Sequence, residues 1–321
     1  MPRRAFLAGT GSAALATGVG AVVPAVRERS RPPSGGGFAE FRWLGTAGWD
    51  VRTPTTRLLV DPYLSRFPTG LAAGRFDTTT PLRLDEDAVA AALGPPGTGA
   101  SAVRAVLVTH THWDHFADVP HIAATHGATV FTTLTGYHLC QSWGVPAQQL
   151  APVRGGEELR LGDLVVRAVP SLHSRSASGG LLFPGVRTTV PEPPSAIADL
   201  PEGDTLAYLL RSPAGRRVLL MGASDFDDQA LRGLEPDVVA LPVPSNDVTA
   251  DYVERLMAAL DSPRTVVPVH WDDFESPLTN PPRALNDDTA RRLAAMTSDV
   301  TRLSPRTRVV APTYFQPLWL L

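Results

Sequence analysis

One short segment constrains the fold of this chain more than any other feature. The apolar run Val106–Val108 leads into four potential metal ligands within six residues, which are His110, His112, Asp114 and His115. Neutral imidazoles and carboxylates are ordinary ligands of zinc, manganese and iron. In an extended chain, side chains two residues apart point to the same side, so His110 and His112 can share one metal. The segment predicts a strand that ends in a metal-binding turn, in which Asp114 and His115 can serve a second, adjacent metal.

Three further candidate ligands lie far along the chain, and each follows an apolar run typical of a strand. They are His173, Asp225 and His270. A single polar residue after a strand is usually structural, but the edge of a sheet can gather such residues from distant parts of a sequence. The joint pattern therefore favours one metal centre that draws on all of these residues. Two nearby acids, Asp227 and Asp228, compete with Asp225 for its place.

Strand and helix patterns are mixed along the chain. The strand candidates are Glu40–Leu44, Gly48–Arg52, Arg57–Val60, Ala105–Val108, Thr129–Phe131, Leu164–Ala168, Thr205–Leu210, Arg217–Leu220, Val238–Leu241 and Thr265–Val269. The helix candidates are Asp85–Leu93, the stretch after Asp114, Leu134–Trp143, Thr249–Leu260 and Asp287–Met296. In the fourth of these, a buried stripe is predicted for Val253, Leu256, Met257 and Leu260. Such a mixture over roughly 280 residues is typical of a layered α/β or α+β domain, which we expect over residues 38–321.

The N-terminus has the pattern of an export signal rather than of folded structure. Arg3 and Arg4 precede a mildly apolar stretch, Ala8–Val23, and this arrangement resembles a twin-arginine signal. We expect a signal over residues 1–30, a flexible linker over residues 31–37, and export to the extracellular space, the periplasm or the cell envelope. The alternative is a membrane anchor, but the stretch is poor in Leu and Ile, so we expect no stable membrane span after cleavage.

Composition excludes several classes of protein. Hydrophobic residues make up 43% of the chain, too many for a wholly disordered protein. The net charge of −3 gives no support to nucleic-acid binding, for which a basic domain is typical. The one cysteine, Cys140, excludes an intramolecular disulfide and a cysteine-based zinc site. We interpret Cys140 as a buried structural thiol rather than a nucleophile.

The order of the candidate ligands resembles that of the metallo-β-lactamase-fold superfamily. Its members carry a His-x-His-x-Asp-His motif and then a His, an Asp and a His, each on a loop after a strand. The resemblance implies an α+β fold of the αββα sandwich type, with two mixed β-sheets and helices on the outer faces. The stretches Trp43–Trp49 and Leu58–Pro62 are also similar to ascorbate-phosphate lactonase-like proteins. Leu172–Arg175 and His270–Trp271 are similar to N-acylphosphatidylethanolamine phospholipase D.

The resemblance also implies which residues hold which metal. The first metal would be held by His110, His112 and His173. The second would be held by Asp114, His115 and His270. Asp225 would bridge the two metals, but many members have the acid directly after a glycine, whereas here the sequence reads Gly222-Ala-Ser-Asp225. Asp61 resembles the acid that lies behind the ligand loop and holds a histidine tautomer, and its alternative is an Asp that begins a turn before Pro62.

These residues predict a binuclear metal-dependent hydrolase. We expect two divalent ions, zinc first, with manganese or iron as alternatives, and Asp114 as the catalytic residue that orients the attacking hydroxide or carries its proton. The substrate would be a small or lipid-like molecule with an ester, lactone or phosphoester bond. Two other functions stay open, an iron-dependent redox enzyme on the same scaffold and a secreted binding protein that keeps its metal for structure.

Several residues near the candidate ligands have two interpretations. An apolar substrate wall or ordinary packing would explain Trp113, Trp271 and Phe274. Anion binding is an option for Arg175 and Arg187. The proline-rich stretch 181–204 is either a substrate lid or a disordered surface insertion. Asp272 and Asp273 are expected to be solvated.

Overall fold

Two mixed β-sheets, packed face to face, carry the architecture of this protein. The computed structural model describes residues 39–176 and 178–319, and helices cover the outer faces of the sheets. The expected αββα sandwich is therefore confirmed. The predicted export signal over residues 1–30 and the linker over residues 31–37 lie outside the described residues and stay predictions.

The first sheet is antiparallel on one side and parallel on the other. Its strands are β1 (Glu40–Gly45), β2 (Gly48–Arg52), β3 (Arg57–Val60), β4 (Val103–Leu107), β5 (Thr129–Thr132), β6 (Leu150–Pro152) and β14 (Pro317–Leu318). Their spatial order is β14-β1-β2-β3-β4-β5-β6, antiparallel as far as β3 and parallel from β3 to β6. Because β3 and β4 are parallel, the segments that follow them reach the same edge of this sheet.

The second sheet has the same division. Its strands are β7 (Glu158–Leu161), β8 (Leu164–Pro170), β9 (Leu206–Arg211), β10 (Arg217–Met221), β11 (Val238–Pro242), β12 (Thr265–Val269) and β13 (Arg308–Val309). Their spatial order is β13-β12-β11-β10-β9-β8-β7, parallel from β13 to β10 and antiparallel from β10 to β7. Since β8 and β10 are both antiparallel to β9, the ends of β8, β10 and β12 lie at one edge.

Seven α-helices are present in the described ranges. They are α1 (Glu86–Leu93), α2 (Trp113–Phe116), α3 (Val119–His126), α4 (Leu134–Ser142), α5 (Asp228–Leu231), α6 (Tyr252–Ala259) and α7 (Asp287–Leu303). The predicted stripe of α6 is buried at all four positions, which confirms it. The longest helix, α7, begins where the Oδ1 atom of Asn286 accepts a hydrogen bond of 3.0 Å from the Thr289 amide. No helix in residues 39–176 and 178–319 is long and apolar enough to cross a bilayer.

The main hydrophobic core joins the two sheets. Phe41, Leu58 and Leu107 from the first sheet and Val166 and Leu219 from the second are fully buried in one cluster. A second cluster lies under α2, α3 and α4 on the outer face of the first sheet, and it contains Cys140. Burial raises the pKa of this thiol above its usual value, which supports the structural interpretation of the cysteine.

The sequence pattern located the long elements better than the short ones. All ten strand candidates correspond to observed strands. Among the α-helices and strands, those without a sequence prediction are α5, β6, β7, β13 and β14, of which β13 and β14 have only two residues each. Strands this short are defined by pairing with a neighbour and not by an apolar pattern of their own.

Candidate metal centre

The carboxyl ends of three strands, from both sheets, bring the candidate ligands to one place. The segment from His110 to His115 follows β4, His173 follows β8 and His270 follows β12. These strand ends, from both sheets, meet at one cavity, and all of those histidines and Asp114 line it. Residues more than 150 positions apart in the chain therefore contact each other, as in the approach of His115 to His270.

Six side chains form two groups with the spacing of metal ligands. The three-histidine triad comprises His110, His112 and His173. The aspartate triad comprises Asp114, His115 and His270. Within each triad, the ligand atoms lie within 4.8 Å of one another. This grouping is the one that the resemblance implied for the two metals.

The two triads lie side by side. The ring centroids of His110 and His115, one from each triad, are 4.0 Å apart. In the aspartate triad, the Nε2 atom of His270 lies 3.1 Å from the Oδ2 atom of Asp114 and 3.2 Å from the Nε2 atom of His115. In the three-histidine triad, the ring of His173 lies 4.7 Å from that of His110 and 4.5 Å from that of His112. Two metal ions held here would be near neighbours.

Hydrogen bonds to the second ring nitrogen orient three of the histidines through Thr109, Leu182 and Ser174, and a fourth, His115, through Asp61. His112 Nε2 donates to the Leu182 carbonyl at 2.9 Å, and His173 Nδ1 donates to the Ser174 carbonyl at 2.7 Å. His110 Nδ1 lies 3.1 Å from the Thr109 hydroxyl. Each bond uses one nitrogen as a donor and leaves the other without a proton, which is the form that binds a metal.

Asp61 holds the ligand segment from behind. It is completely buried, and its Oδ2 atom accepts a hydrogen bond of 2.8 Å from His115 Nδ1. Its carboxylate also accepts from the amide and the hydroxyl of Thr109, at 2.7 and 2.5 Å. The expectation that Asp61 fixes a histidine tautomer is thus confirmed, and the turn before Pro62 is not its only role.

Burial keeps the three-histidine triad neutral. Desolvation, helped by the neighbouring imidazoles, holds the pKa values of His110 and His112 well below the usual range. Desolvation also lowers the pKa of His173 to about 4. At neutral pH, all three rings therefore present lone pairs rather than protons, as a divalent cation requires.

In the aspartate triad, unlike the three-histidine triad, neighbouring charged groups outweigh burial in setting the pKa values. Burial by itself would raise the pKa of Asp114, but His115 and His270 more than offset this and hold it below its usual value. Burial lowers the pKa of His115, yet Asp114 and Asp61 outweigh it, so the net change is a rise. This triad therefore carries a negative carboxylate among imidazoles. Buried imidazoles and one carboxylate in two compact groups fit zinc, manganese or iron.

Comparison with known proteins identifies the family. A profile of the beta-lactamase superfamily domain matches residues 56–271 of the chain. The chain belongs to this superfamily. It is 26% identical over 287 residues to a protein from Polynucleobacter asymbioticus named UPF0173 metal-dependent hydrolase, and the alignment covers 87% of this chain and 88% of that relative.

Solved structures share the fold. Igni18, a metallo hydrolase from Ignicoccus hospitalis, superposes with a TM-score of 0.53 at 17% identity and covers 87% of this chain and 97% of its own. CmlA, a diiron β-hydroxylase from Streptomyces venezuelae, reaches a TM-score of 0.55 at 14% identity over 88% of this chain and 54% of its own. These likenesses confirm the superfamily fold, while the narrower branch suggested by the sequence stays a prediction.

Asp225 departs from the expected superfamily arrangement. It belongs to neither triad and does not line the cavity, and its Oδ1 atom accepts from the Phe226 amide at 2.9 Å. The strand reaches the cavity earlier, at Gly222, which packs so closely on Thr109 that a Cβ atom there would lie 2.0 Å from the hydroxyl. At residue 225, the backbone pairs with Leu172, next to the ligand His173. The bridging role expected for Asp225 therefore stays a prediction.

The two competing acids have other partners. Asp227 caps α5 through the Gln229 amide at 2.9 Å, and Asp228 forms an ion pair with Arg255. Neither belongs to a triad. The segment after β10 thus supplies no carboxylate to the ligand groups of the described residues.

Asp272 is a supporting residue whose burial the sequence pattern did not reveal. It was expected to be solvated, but it is completely buried and accepts hydrogen bonds from the Thr46 amide, Arg66 and the Tyr314 hydroxyl at 2.8 to 2.9 Å. Thr46 in turn accepts from the amide of His270 at 2.8 Å. His270 itself has a φ of 60°, an uncommon conformation for a residue with a side chain. The buried ion pair therefore holds the turn that presents this ligand.

A cavity of about 370 Å³ opens over both triads. Trp113 and Phe274 line it, whereas Trp271 packs against Trp43 with a ring separation of 5.7 Å. Of the two candidate arginines, Arg175 lines the cavity and Arg187 does not. The segment 181–204 contributes Leu182 to the cavity and buries Ile197 and Leu200, so it packs on the domain and is not a disordered insertion.

Proposed function

We propose that the protein is a hydrolase that uses two metal ions, one in each triad, to cleave an ester, lactone or phosphoester bond. The coarser assignment, a metal-dependent hydrolase of the metallo-β-lactamase fold, is supported by membership of the superfamily and by the named relatives. The observation that carries the finer proposal is the pair of adjacent, largely buried triads at the floor of one cavity.

The bound ions would supply Lewis acidity, which polarises a carbonyl or phosphoryl oxygen and makes water acidic enough to attack at neutral pH. The remaining roles in the proposed reaction belong to side chains of the protein. The imidazoles hold their geometry through the Thr109, Leu182 and Ser174 hydrogen bonds. Asp114, within 3.1 Å of His270, places a carboxylate oxygen at the centre, where it can orient the attacking water and accept its proton.

The cavity wall has a separate role in this proposal. Trp113 and Phe274 flank the triads and exclude bulk water from one side of the bound substrate. A site with little water strengthens every electrostatic interaction between the substrate and the charged groups around it. We further propose zinc as the resident metal, because imidazole-rich sites with a carboxylate suit it well.

Metal analysis combined with a substrate panel tests the proposal. The purified protein should contain two equivalents of metal, lose hydrolysis of chromogenic esters, lactones or phosphodiesters on chelation, and regain it with Zn²⁺. His112→Ala should lose one equivalent and most of the activity. A preparation with no bound metal, or a chelator-resistant hydrolysis, would overturn the proposal. Coloured, iron-loaded protein that reacts with oxygen and does not hydrolyse the panel would favour the redox alternative.

A further inference from the structure

The shape and polarity of the cavity indicate the chemical class of the substrate. We infer that this site, if it is the hydrolase proposed above, acts on carboxylic esters or lactones with an apolar acyl chain. The inference depends on two sides of the cavity, which differ in chemistry. We name them the apolar wall, formed by Leu71, Phe76, Trp113, Leu182 and Phe274, and the polar rim, formed by Ser174, Arg175, Ser245, Asn286 and Arg292.

The apolar wall begins at the metal ligands and extends outward. Trp113 lies between the ligands His112 and Asp114 in the chain, and the ring of Phe274 lies 5.5 Å from that of His270. Phe76 stacks on Trp113 with a centroid separation of 5.7 Å and continues the wall. An acyl chain lying along these rings would therefore place its carbonyl carbon at the triads.

Packing behind the wall fixes its shape. Phe183 contacts the rings of both Phe76 and Trp113, at centroid separations of 6.3 and 6.2 Å. The preceding residue, Leu182, lines the cavity with its side chain while its carbonyl holds His112. The wall is thus built partly from the proline-rich segment and is anchored to a ligand, which favours a preformed site over one that assembles around the substrate.

The polar rim offers little positive charge to a substrate. Arg292 is already paired with Asp247 at 3.2 Å and with Asp288 at 3.0 Å. Arg175, at the exposed mouth, donates to the Gly179 carbonyl and has no carboxylate within 4.0 Å among residues 39–176 and 178–319. The rim thus adds one guanidinium without an ion pair to the charge of the two proposed metal ions. An apolar wall of this extent suits an acyl chain better than the charged oxygens of a phosphoester.

The reaction on such a substrate balances without any additional reagent. Water adds to the carbonyl carbon, the bond from that carbon to the alkoxy oxygen breaks, and the departing oxygen takes up the proton that water has lost. An ester yields a carboxylic acid and an alcohol, and a lactone yields one hydroxy acid. No electron transfer occurs.

A chain-length series tests the inference. The metal-loaded protein is assayed with p-nitrophenyl acetate, butyrate and octanoate, with γ-lactones carrying short and long alkyl chains, and with bis-p-nitrophenyl phosphate and p-nitrophenyl phosphate. We expect kcat/KM to rise at least about tenfold from acetate to octanoate, since each buried methylene is worth up to about a factor of four. Both phosphate substrates should be slower than octanoate.

A matched pair of variants assigns the effect to the wall. Phe76→Ala should lower kcat/KM for octanoate about fivefold more than it lowers kcat/KM for acetate, and should retain two metal equivalents. Leu84→Ala is the control, because Leu84 is a large hydrophobic residue that is 44% exposed and lies outside the cavity. It should leave the ratio unchanged.

The possible failures are distinguishable. A flat chain-length profile, a preference for either phosphate substrate, or an equal loss on acetate and octanoate in Phe76→Ala would overturn the substrate class. Chelator-sensitive hydrolysis of the panel would still support the proposed function in each of those cases. A protein that holds no metal and cleaves no member of the panel would overturn both.

Discussion

The two triads use similar side chains but are supported differently. The three-histidine triad consists of neutral rings whose second nitrogens meet a hydroxyl and two main-chain carbonyls. The aspartate triad contains a carboxylate, and one of its histidines donates to the buried Asp61. Because a negative ligand attracts a divalent cation more strongly than a neutral one, the aspartate triad should bind its metal more tightly.

The difference extends to how the third ligand is held. His173 is fixed through its own ring nitrogen, which donates to Ser174. The Nδ1 atom of His270 is buried and meets no hydrogen-bond partner in the described part of the chain. His270 is positioned through its main chain instead, by Thr46 and by the ion pair of Asp272 with Arg66. The three-histidine triad is thus positioned by hydrogen bonds from its imidazole rings to neutral groups. The aspartate triad is positioned by the charges of Asp61 and of the Asp272–Arg66 ion pair.

Removal of a ligand from the aspartate triad should have the largest effect. Asp114→Ala takes away the only carboxylate of the two triads and a group placed to handle the proton of the attacking water. We expect loss of one metal equivalent and a fall in kcat of more than about 100-fold, beyond the usual effect of an outer partner. Elemental analysis and ester kinetics measure both. Retention of two metals with full activity would contradict the assigned role.

Asp61→Asn should have the next largest effect. The amide cannot supply the negative charge that orients His115 and raises its basicity, so the metal affinity of the aspartate triad should fall about 10- to 100-fold. Chelator competition monitored with Zn²⁺ measures the change. The three-histidine triad serves as the internal control, since its affinity should change much less, and an equal loss at both triads would remove the distinction between them.

A comparison of two buried ion pairs isolates the role of Asp272. Asp272→Asn disturbs the turn that presents His270, whereas Asp50→Asn disturbs a similar buried pair with Arg57 at 2.9 Å. Each should lower the free energy of unfolding by about 1.5–3 kcal/mol, the value of a hydrogen bond to a charged group. Only Asp272→Asn should also weaken the aspartate triad for metal, by about tenfold.

Thermal unfolding and chelator competition, measured together, separate stability from metal binding in this pair. If both variants lose metal in proportion to their loss of stability, then Asp272 supports the fold in general and not His270 in particular.

Asp225→Ala should have the smallest effect. The side chain belongs to neither triad and does not line the cavity, so metal content should stay at two equivalents and kcat/KM should stay within about twofold. The measurement is the same elemental analysis and ester assay. Loss of one metal equivalent would restore the bridging role that the sequence motif suggested.

Local chemistry made much of the centre predictable. Four imidazole or carboxylate donors lie within the six residues from His110 to His115, and so many donors in so short a segment indicate a metal site. The apolar runs before His173 and His270 indicated strand ends. Asp61 was recognisable by its place after a strand. The cavity wall was partly predictable too, because Trp113 and Phe274 are close in sequence to ligands, but Phe76 had no sequence signal.

The surroundings of Asp272 and Asp225 depend on contacts across long distances in the chain. Asp272 is buried because Arg66, 206 positions earlier, reaches it in the folded state. Asp225 follows a predicted strand, but its carboxylate joins neither triad, and that strand reaches the cavity at Gly222, in close contact with Thr109. A linear motif records neither of these contacts.

The amino-acid sequence alone determined which donor groups are available and that they follow strands, because side-chain chemistry and apolar periodicity are local properties. Tertiary structure decided which strand ends meet, which nitrogen of each histidine is free, and which acids stay outside. These outcomes depend on strand order and on the burial of charges such as Asp61 and Asp272. Each of these charges is stable in the interior because a partner offsets the free-energy cost of its desolvation.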